Sequence, residues 1–356
     1  MRNKKSGDKG HDRREFIKIG GAFTAGVLAN AALPITVRAD AGVTSNSATP
    51  EAMPTRNLGK TGYRVGIFSL GGQAALEVGN NDAVAVPIIN RALDLGVNYL
   101  DTSSIYGGPD RWSERYLGQV IKKRRAQAFL ASKTKERTRD ASLHMLEESL
   151  TLLQTDHLDL WQLHDVGTIG EVNLIFGKGG AMEALTEARE QKMVRFLGLT
   201  GHFRPEPLME AMRRFPFDCI LMVLSAADPH HFSFQEQLLP MAVEHQMGII
   251  AMKIPGRGRL LSSWTPPSLE EQKHSWEGMV IANSPGTLQM REALYYTLSH
   301  PVSTVIIGCD SIAQLEENVK LAREFTPLSQ KQMAALQDKA EPVSKQALFF
   351  RFYDHA

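Results

Sequence analysis

Four polar residues, each standing where a short apolar run ends, carry the chemistry open to this chain. Asn98-Tyr99-Leu100 leads into Asp101, and Tyr106 follows five residues later across Thr102-Ser103-Ser104-Ile105. Phe129-Leu130-Ala131-Ser132 leads into Lys133, and Leu158-Asp159-Leu160-Trp161-Gln162-Leu163 into His164. An acid, a phenol, an amine and an imidazole in one pocket make a proton-delivery site. Adding hydride to a carbonyl carbon builds negative charge on the oxygen, which must receive a proton. Tyr106 is a plausible donor, yet an ordinary phenol has a pKa of about 10. A lysine ammonium beside it is expected to favour phenolate and lower that value. Asp101 is expected to pair with Lys133, and His164 to donate a hydrogen bond to the carbonyl oxygen.

These residues meet only if a fold brings strand ends together. Apolar runs at 66–70, 97–101, 128–132, 158–163, 195–199, 218–224, 248–253 and 303–307 are rich in Val, Ile, Leu and Phe, as strands buried on both faces should be. Amphipathic stretches alternate with them at 82–96, 112–124, 138–154, 181–192, 205–215, 235–246, 287–300 and 311–325. Eight strand–helix units predict an α/β chain closed into a (β/α)8 TIM barrel, whose C-terminal strand ends converge on one face. Leu58-Gly59-Lys60-Thr61-Gly62 is expected as an N-terminal hairpin turn plugging the barrel bottom, and 328–340 as a C-terminal helix. The competing doubly wound sheet would carry a Gly-x-Gly-x-x-Gly turn after an early strand. The nearest stretch, Gly177-Lys178-Gly179-Gly180, has the wrong spacing.

Composition bounds the rest. The 356 residues, 43% hydrophobic, suit one large domain with extensions. The net charge is +1, but residues 1–41 hold eight Lys/Arg and four Asp/Glu, leaving −3 for the body. Such a body has no pull toward nucleic acid. Residues 1–41 are expected to be a targeting segment. Arg13-Arg14-Glu15-Phe16 before a weakly apolar stretch and Ala39-Asp40-Ala41 resembles a twin-arginine export signal. This predicts the twin-arginine machinery as a partner, a periplasmic or otherwise exported destination, and no stable membrane insertion. Residues 42–54 are expected as a flexible linker, 55–340 as the barrel, and 341–356 as a tail over its rim. The two cysteines, Cys219 and Cys309, are read as separate buried thiols. No metal site is expected: Asp228, His230 and His231 cluster in a loop, without a further ligand series.

On these motifs the chain resembles an aldo-keto reductase over about residues 56–326. The resemblance rests on Asp101-x4-Tyr106, on Ala131-Ser132-Lys133-Thr134 and on Leu160-Trp161-Gln162-Leu163-His164-Asp165. Leu197-Gly198-Leu199-Thr200-Gly201-His202 and Ile306-Ile307-Gly308 with Leu315-Glu316-Glu317-Asn318 support it. Leu238-Leu239-Pro240 and Gly248-Ile249-Ile250-Ala251-Met252-Lys253 are similar to a bacterial branch that includes iron–sulfur members, whose cluster cysteines this chain lacks. The resemblance implies the same division of labour among the four residues, a small carbonyl substrate, and NADP or NAD extended over the barrel mouth. It implies Thr200, His202 and Ser225 near the nicotinamide. Lys253 stands with Met252 where many members carry a stacking tyrosine and a serine. Gly256, Arg257 and Gly258 are candidates for a pyrophosphate loop. Gly308, Asp310, Ser311, Gln314, Glu317 and Asn318 are candidates for the adenosine end. Many members place Lys and Arg there. NADP is the expectation the resemblance carries, but Asp310 would repel a 2′-phosphate, leaning toward NAD or loose selectivity, although Asp310 or Ser311 could equally cap the helix that follows. The loop 262–285, with Trp264 and Trp276, is expected as a lid. The other function class is a redox-sensing or docking subunit that binds nucleotide with little turnover.

Overall fold

Short runs of β-branched and large apolar residues form eight parallel strands that close on themselves in this computed structural model. The structure describes residues 53–273 and 280–352, and the backbone of Thr44–Ser45. The strands are β1 (Phe68–Leu70), β2 (Tyr99–Asp101), β3 (Phe129–Thr134), β4 (Leu158–Leu163), β5 (Val194–Gly201), β6 (Cys219–Val223), β7 (Gly248–Met252) and β8 (Thr304–Ile307). Each pairs in parallel with the next, and β8 pairs with β1 through Val305 opposite Phe68, so the barrel closes without an edge. Inward and outward faces are both buried, which explains the unbroken apolar runs. The expected (β/α)8 barrel is therefore present, with helices between successive strands.

An N-terminal hairpin pairs Pro54–Asn57 with Arg64–Gly66. Gly66, expected at the start of β1, pairs in this hairpin with Thr55 instead. The turn packs under the barrel. Leu58 is fully buried, and the Lys60 N–H donates to the Gln246 carbonyl at 3.0 Å, just before β7. Gly59, at φ +53°, is required there, because a Cβ would lie 2.2 Å from the Gly248 nitrogen. Thr44–Ser45 adds a third antiparallel strand against Pro54–Thr55, and Met53 is fully buried. Part of the segment expected as a linker is thus folded onto the hairpin. The expected export signal at 1–41 lies outside the described residues. Among the described residues, no helix is long and apolar enough to cross a membrane.

One helix, Ile169–Phe176, was not expected. Its capping box is in the sequence: the Thr168 hydroxyl accepts from the Glu171 N–H, and the Glu171 carboxylate reaches back to the Thr168 N–H at 3.1 Å. The extra helix Gln330–Ala340 forms as expected. Beyond it, Ser344–Ala347 and Phe349–Phe352 are helical turns whose Phe349, Phe350 and Arg351 are buried. Arg351 pairs with the fully buried Asp228 in the loop after β6. Gln346 donates to the Arg259 carbonyl at 3.0 Å in the loop after β7.

Candidate active site

Register gathers the four chemical residues. Asp101 in β2 stands opposite Ala131 in β3, which places Lys133 two residues nearer the mouth. Lys133 in turn stands opposite Gln162 in β4, and His164 lies two residues beyond Gln162. Steps of two keep side chains on one face, here the barrel interior. Asp101 and Lys133 are buried, and Lys133 Nζ donates to Asp101 Oδ2 at 2.6 Å and to the Thr102 carbonyl at 2.7 Å. Burial pushes the carboxyl up and the ammonium down; their mutual contact opposes both shifts.

Tyr106 sits on the loop after β2. Its N–H donates to the Ser103 carbonyl at 3.1 Å. Lys133 Nζ lies 4.9 Å from the Tyr106 ring centroid, and the ring meets His164 edge-on with centroids 5.8 Å apart. The four residues therefore occupy one end of the barrel, within reach of one another. The expected acidification of Tyr106 does not occur in this structure. Burial pushes its phenol well above the ordinary value, carboxylates at Asp101, Glu77 and Asp165 add to this, and Arg257 opposes it. The physical reason is burial first, and Lys133, bonded to Asp101 and facing the ring, does not offset it. Tyr106 is thus held as a neutral O–H.

His164 is buried, with Nδ1 2.8 Å from Ser103 Oγ. Burial first, and then the Lys133 charge, hold its pKa well below the ordinary histidine value, so the imidazole is neutral. Beside it, His202 Nδ1 lies 2.7 Å from Asp165 Oδ1, and Lys135 reaches the other Asp165 oxygen at 2.9 Å. Burial pushes the Asp165 carboxyl up, but these partners more than offset it and hold it well below the usual range. The Thr200 hydroxyl accepts from the Asp165 N–H at 2.9 Å.

A cavity of about 640 Å³ opens at this end between the loops after β1, β7 and β8. Asp101 and Tyr106 line it, together with the expected Lys253, Arg257, Gly258, Gly308, Asp310, Gln314, Glu317 and Asn318. The size and mixed lining suit an organic ligand. The remaining candidates, Lys133 and His164 among them, fall outside that lining. Thr200 and His202 belong to the Asp165 network. Ser225 is buried, and its carbonyl accepts from the Asp228 N–H at 3.0 Å. Gly256 packs against Ala347, where a Cβ would lie 2.9 Å from the carbonyl oxygen. Ser311 caps helix Ile312–Arg323 by accepting from the Gln314 N–H at 3.2 Å, while Gln314 Oε1 accepts from the Asp310 N–H at 2.8 Å.

The sequence reading missed the wall after β1. Gly71, Gly72, Gln73 and Ala74 line the cavity, and a Cβ on Gly71 would lie 2.9 Å from the Gly308 nitrogen. Paired glycines directly after a strand were the available signal. Gln73 and Glu77 also clasp the opposite wall. Lys253 Nζ donates to Gln73 Oε1 at 2.8 Å, and Arg257 pairs with Glu77 at 3.1 Å. Trp264 lines the cavity as part of the expected lid loop, and Trp276 lies outside the described residues.

Comparison with known proteins agrees with this geometry. The model of the aldo/keto reductase family matches residues 64–341. The uncharacterized oxidoreductase YqkF of Bacillus subtilis is 30% identical over 311 residues, covering 80% of this chain and 96% of the relative. L-galactose dehydrogenase of Arabidopsis thaliana is 28% identical over 316 residues, covering 81% and 94%. Among solved structures, the holo form of aldo-keto reductase AKR11C1 from Bacillus halodurans superposes with a TM-score of 0.65 at 28% identity, covering 81% of this chain and 96% of that one. The chain belongs to the aldo/keto reductase family and is a nicotinamide-dependent oxidoreductase of carbonyl compounds.

Proposed function

We propose that this protein reduces a small aldehyde or ketone to its alcohol, with Tyr106 as proton donor. The observation that carries the reading is the approach of Asp101, Tyr106, Lys133 and His164 at one end of the barrel, beside a cavity of ligand size. A bound nicotinamide dinucleotide would supply the hydride. Tyr106 gives its hydroxyl proton to the developing alkoxide. His164 donates a hydrogen bond to the same oxygen and orients it. Asp101 and the Thr102 carbonyl hold Lys133 beneath the Tyr106 ring.

The cavity's donor set fits a dinucleotide. Lys253 and Arg257 bring positive charge to one wall, and the backbone turns at positive φ through Arg257 and Gly258. The wall after β8 carries Asp310 and Glu317 and, among the described lining residues, neither lysine nor arginine. Such a wall repels a 2′-phosphate and accepts from a free 2′-hydroxyl, which favours NAD over the family expectation of NADP. A docking subunit without turnover has no need of all four site residues, so their joint presence favours the enzyme. Steady-state oxidation of NADPH and NADH with a panel of aldehydes and ketones tests the reading. Turnover with at least one carbonyl is expected, and none with any would refute it.

We also propose that residues 1–41 direct folded export by the twin-arginine machinery to the periplasm or beyond, on the strength of Arg13, Arg14 and Phe16. Changing both arginines to lysine should trap the precursor inside the cell. Unaltered export would refute the assignment.

A further inference from the structure

A neutral imidazole carries one proton on two nitrogens, and which nitrogen holds it decides what the ring can do. In His164 the two nitrogens meet different surroundings. Nδ1 lies 2.8 Å from Ser103 Oγ. Nε2 makes no hydrogen bond among the described residues, on a ring that is 3% exposed and meets the Tyr106 ring edge-on.

Ser103 breaks the symmetry. It is fully buried on the loop between Asp101 and Tyr106. Among the described residues its hydroxyl makes one hydrogen bond, the contact with Nδ1. If Nδ1 carried the proton, it would donate to Oγ and leave the Ser103 O–H buried with nothing to accept it. Such an orphaned donor is costly. If the hydroxyl donates to Nδ1, both groups are satisfied and the proton sits on Nε2. We propose that Ser103 is a positioning residue that fixes His164 as the Nε2–H tautomer, so that the nitrogen Ser103 does not engage is a donor.

The same residue also ties the two halves of the proton-delivery site together. Its carbonyl accepts from the Tyr106 N–H at 3.1 Å while its hydroxyl holds the His164 ring. The phenol and the imidazole are thereby referred to one point of the backbone. A carbonyl oxygen presented to this end meets two O–H and N–H donors set by one residue. This inference rests on the reductase reading given above for its catalytic consequence, but the tautomer itself does not depend on turnover.

The test is ¹⁵N NMR of histidine-labelled full-length protein, with the His164 signals assigned by their loss in His164→Gln, together with steady-state kinetics of Ser103→Ala. In the parent, Nδ1 should resonate as unprotonated and Nε2 as protonated. In Ser103→Ala both signals should move toward an average of the two tautomers. The kcat for aldehyde reduction should fall about tenfold, short of the hundredfold or more that follows outright loss of an oxyanion donor. The KM for the nucleotide should be unchanged. A protonated Nδ1 in the parent, or parent-like nitrogen shifts and kcat in Ser103→Ala, would overturn the proposal. Absence of any turnover in the parent would instead overturn the reductase reading, while the nitrogen shifts still decide the tautomer.

Discussion

At Tyr106, burial and three carboxylates outweigh the opposing Arg257 charge, while the Lys133 ammonium is bonded to Asp101 at 2.6 Å. The phenol therefore stays protonated as pH rises, and its role is that of a reserved donor. The pH profile follows with a definite sign. An acidified phenol would lose its proton, and reduction would slow, as pH rose through a lowered pKa. A phenol pushed above its usual value of about 10 predicts no loss of kcat/KM from Tyr106 ionisation between neutral pH and 9. A falling limb in that range that vanishes in Tyr106→Phe residual activity would contradict this. Lys133→Met should abolish most reduction. It should also destabilise the barrel by about 3–5 kcal/mol in urea titrations, because it leaves Asp101 buried and unpaired. Adding Asp101→Asn should restore most of the stability and none of the activity. Equal stability of the single and double variants would refute the pairing argument.

The elements show what was legible and why. Strand positions were readable because residues buried on both faces must be apolar, and Asp101, Lys133 and His164 stood out against those runs. Their grouping was readable once eight units implied a barrel. Helix Ile169–Phe176 was masked by flanking glycines, although its Thr168/Glu171 cap was present in the sequence. The wall after β1 was missed because Gly71 and Gly72 act through absent side chains, and Gln73 acts through a lysine 180 residues away. The direction of the Tyr106 shift was not legible, since it depends on which atom of its neighbourhood the ammonium faces. The C-terminal turn offers a test at this scale. Arg351→Met should cost about 3 kcal/mol, at the lower end for a broken buried pair. Asp228 keeps donors from the Ser233 hydroxyl and the Phe234 and Gln235 N–H groups. Arg351→Met with Asp228→Asn should recover most of that loss, and a single variant as stable as the parent would show that the pair holds nothing in place.

The whole molecule couples its chemistry to acid stability through buried neutral histidines. Burial lowers His300 to about 4, and His164 and His202 are lowered as well. Below the ordinary value of about 6.5 the unfolded chain binds these protons before the folded one does. Stability should then be fully present above pH 6.5 and fall as pH drops toward 4, by about 1.4 kcal/mol per pH unit for each such group. Urea midpoints across that range measure it, and His300→Gln should flatten the slope. Reduction at this site depends on one proton moving from one phenol. The most direct measurement is single-turnover reduction of an aldehyde by Tyr106→Phe loaded with the preferred nicotinamide nucleotide, alongside the fluorescence titration that reports nucleotide binding. The account predicts unchanged nucleotide affinity and a rate lowered by about a hundredfold or more. Parent-like reduction by that variant would contradict it.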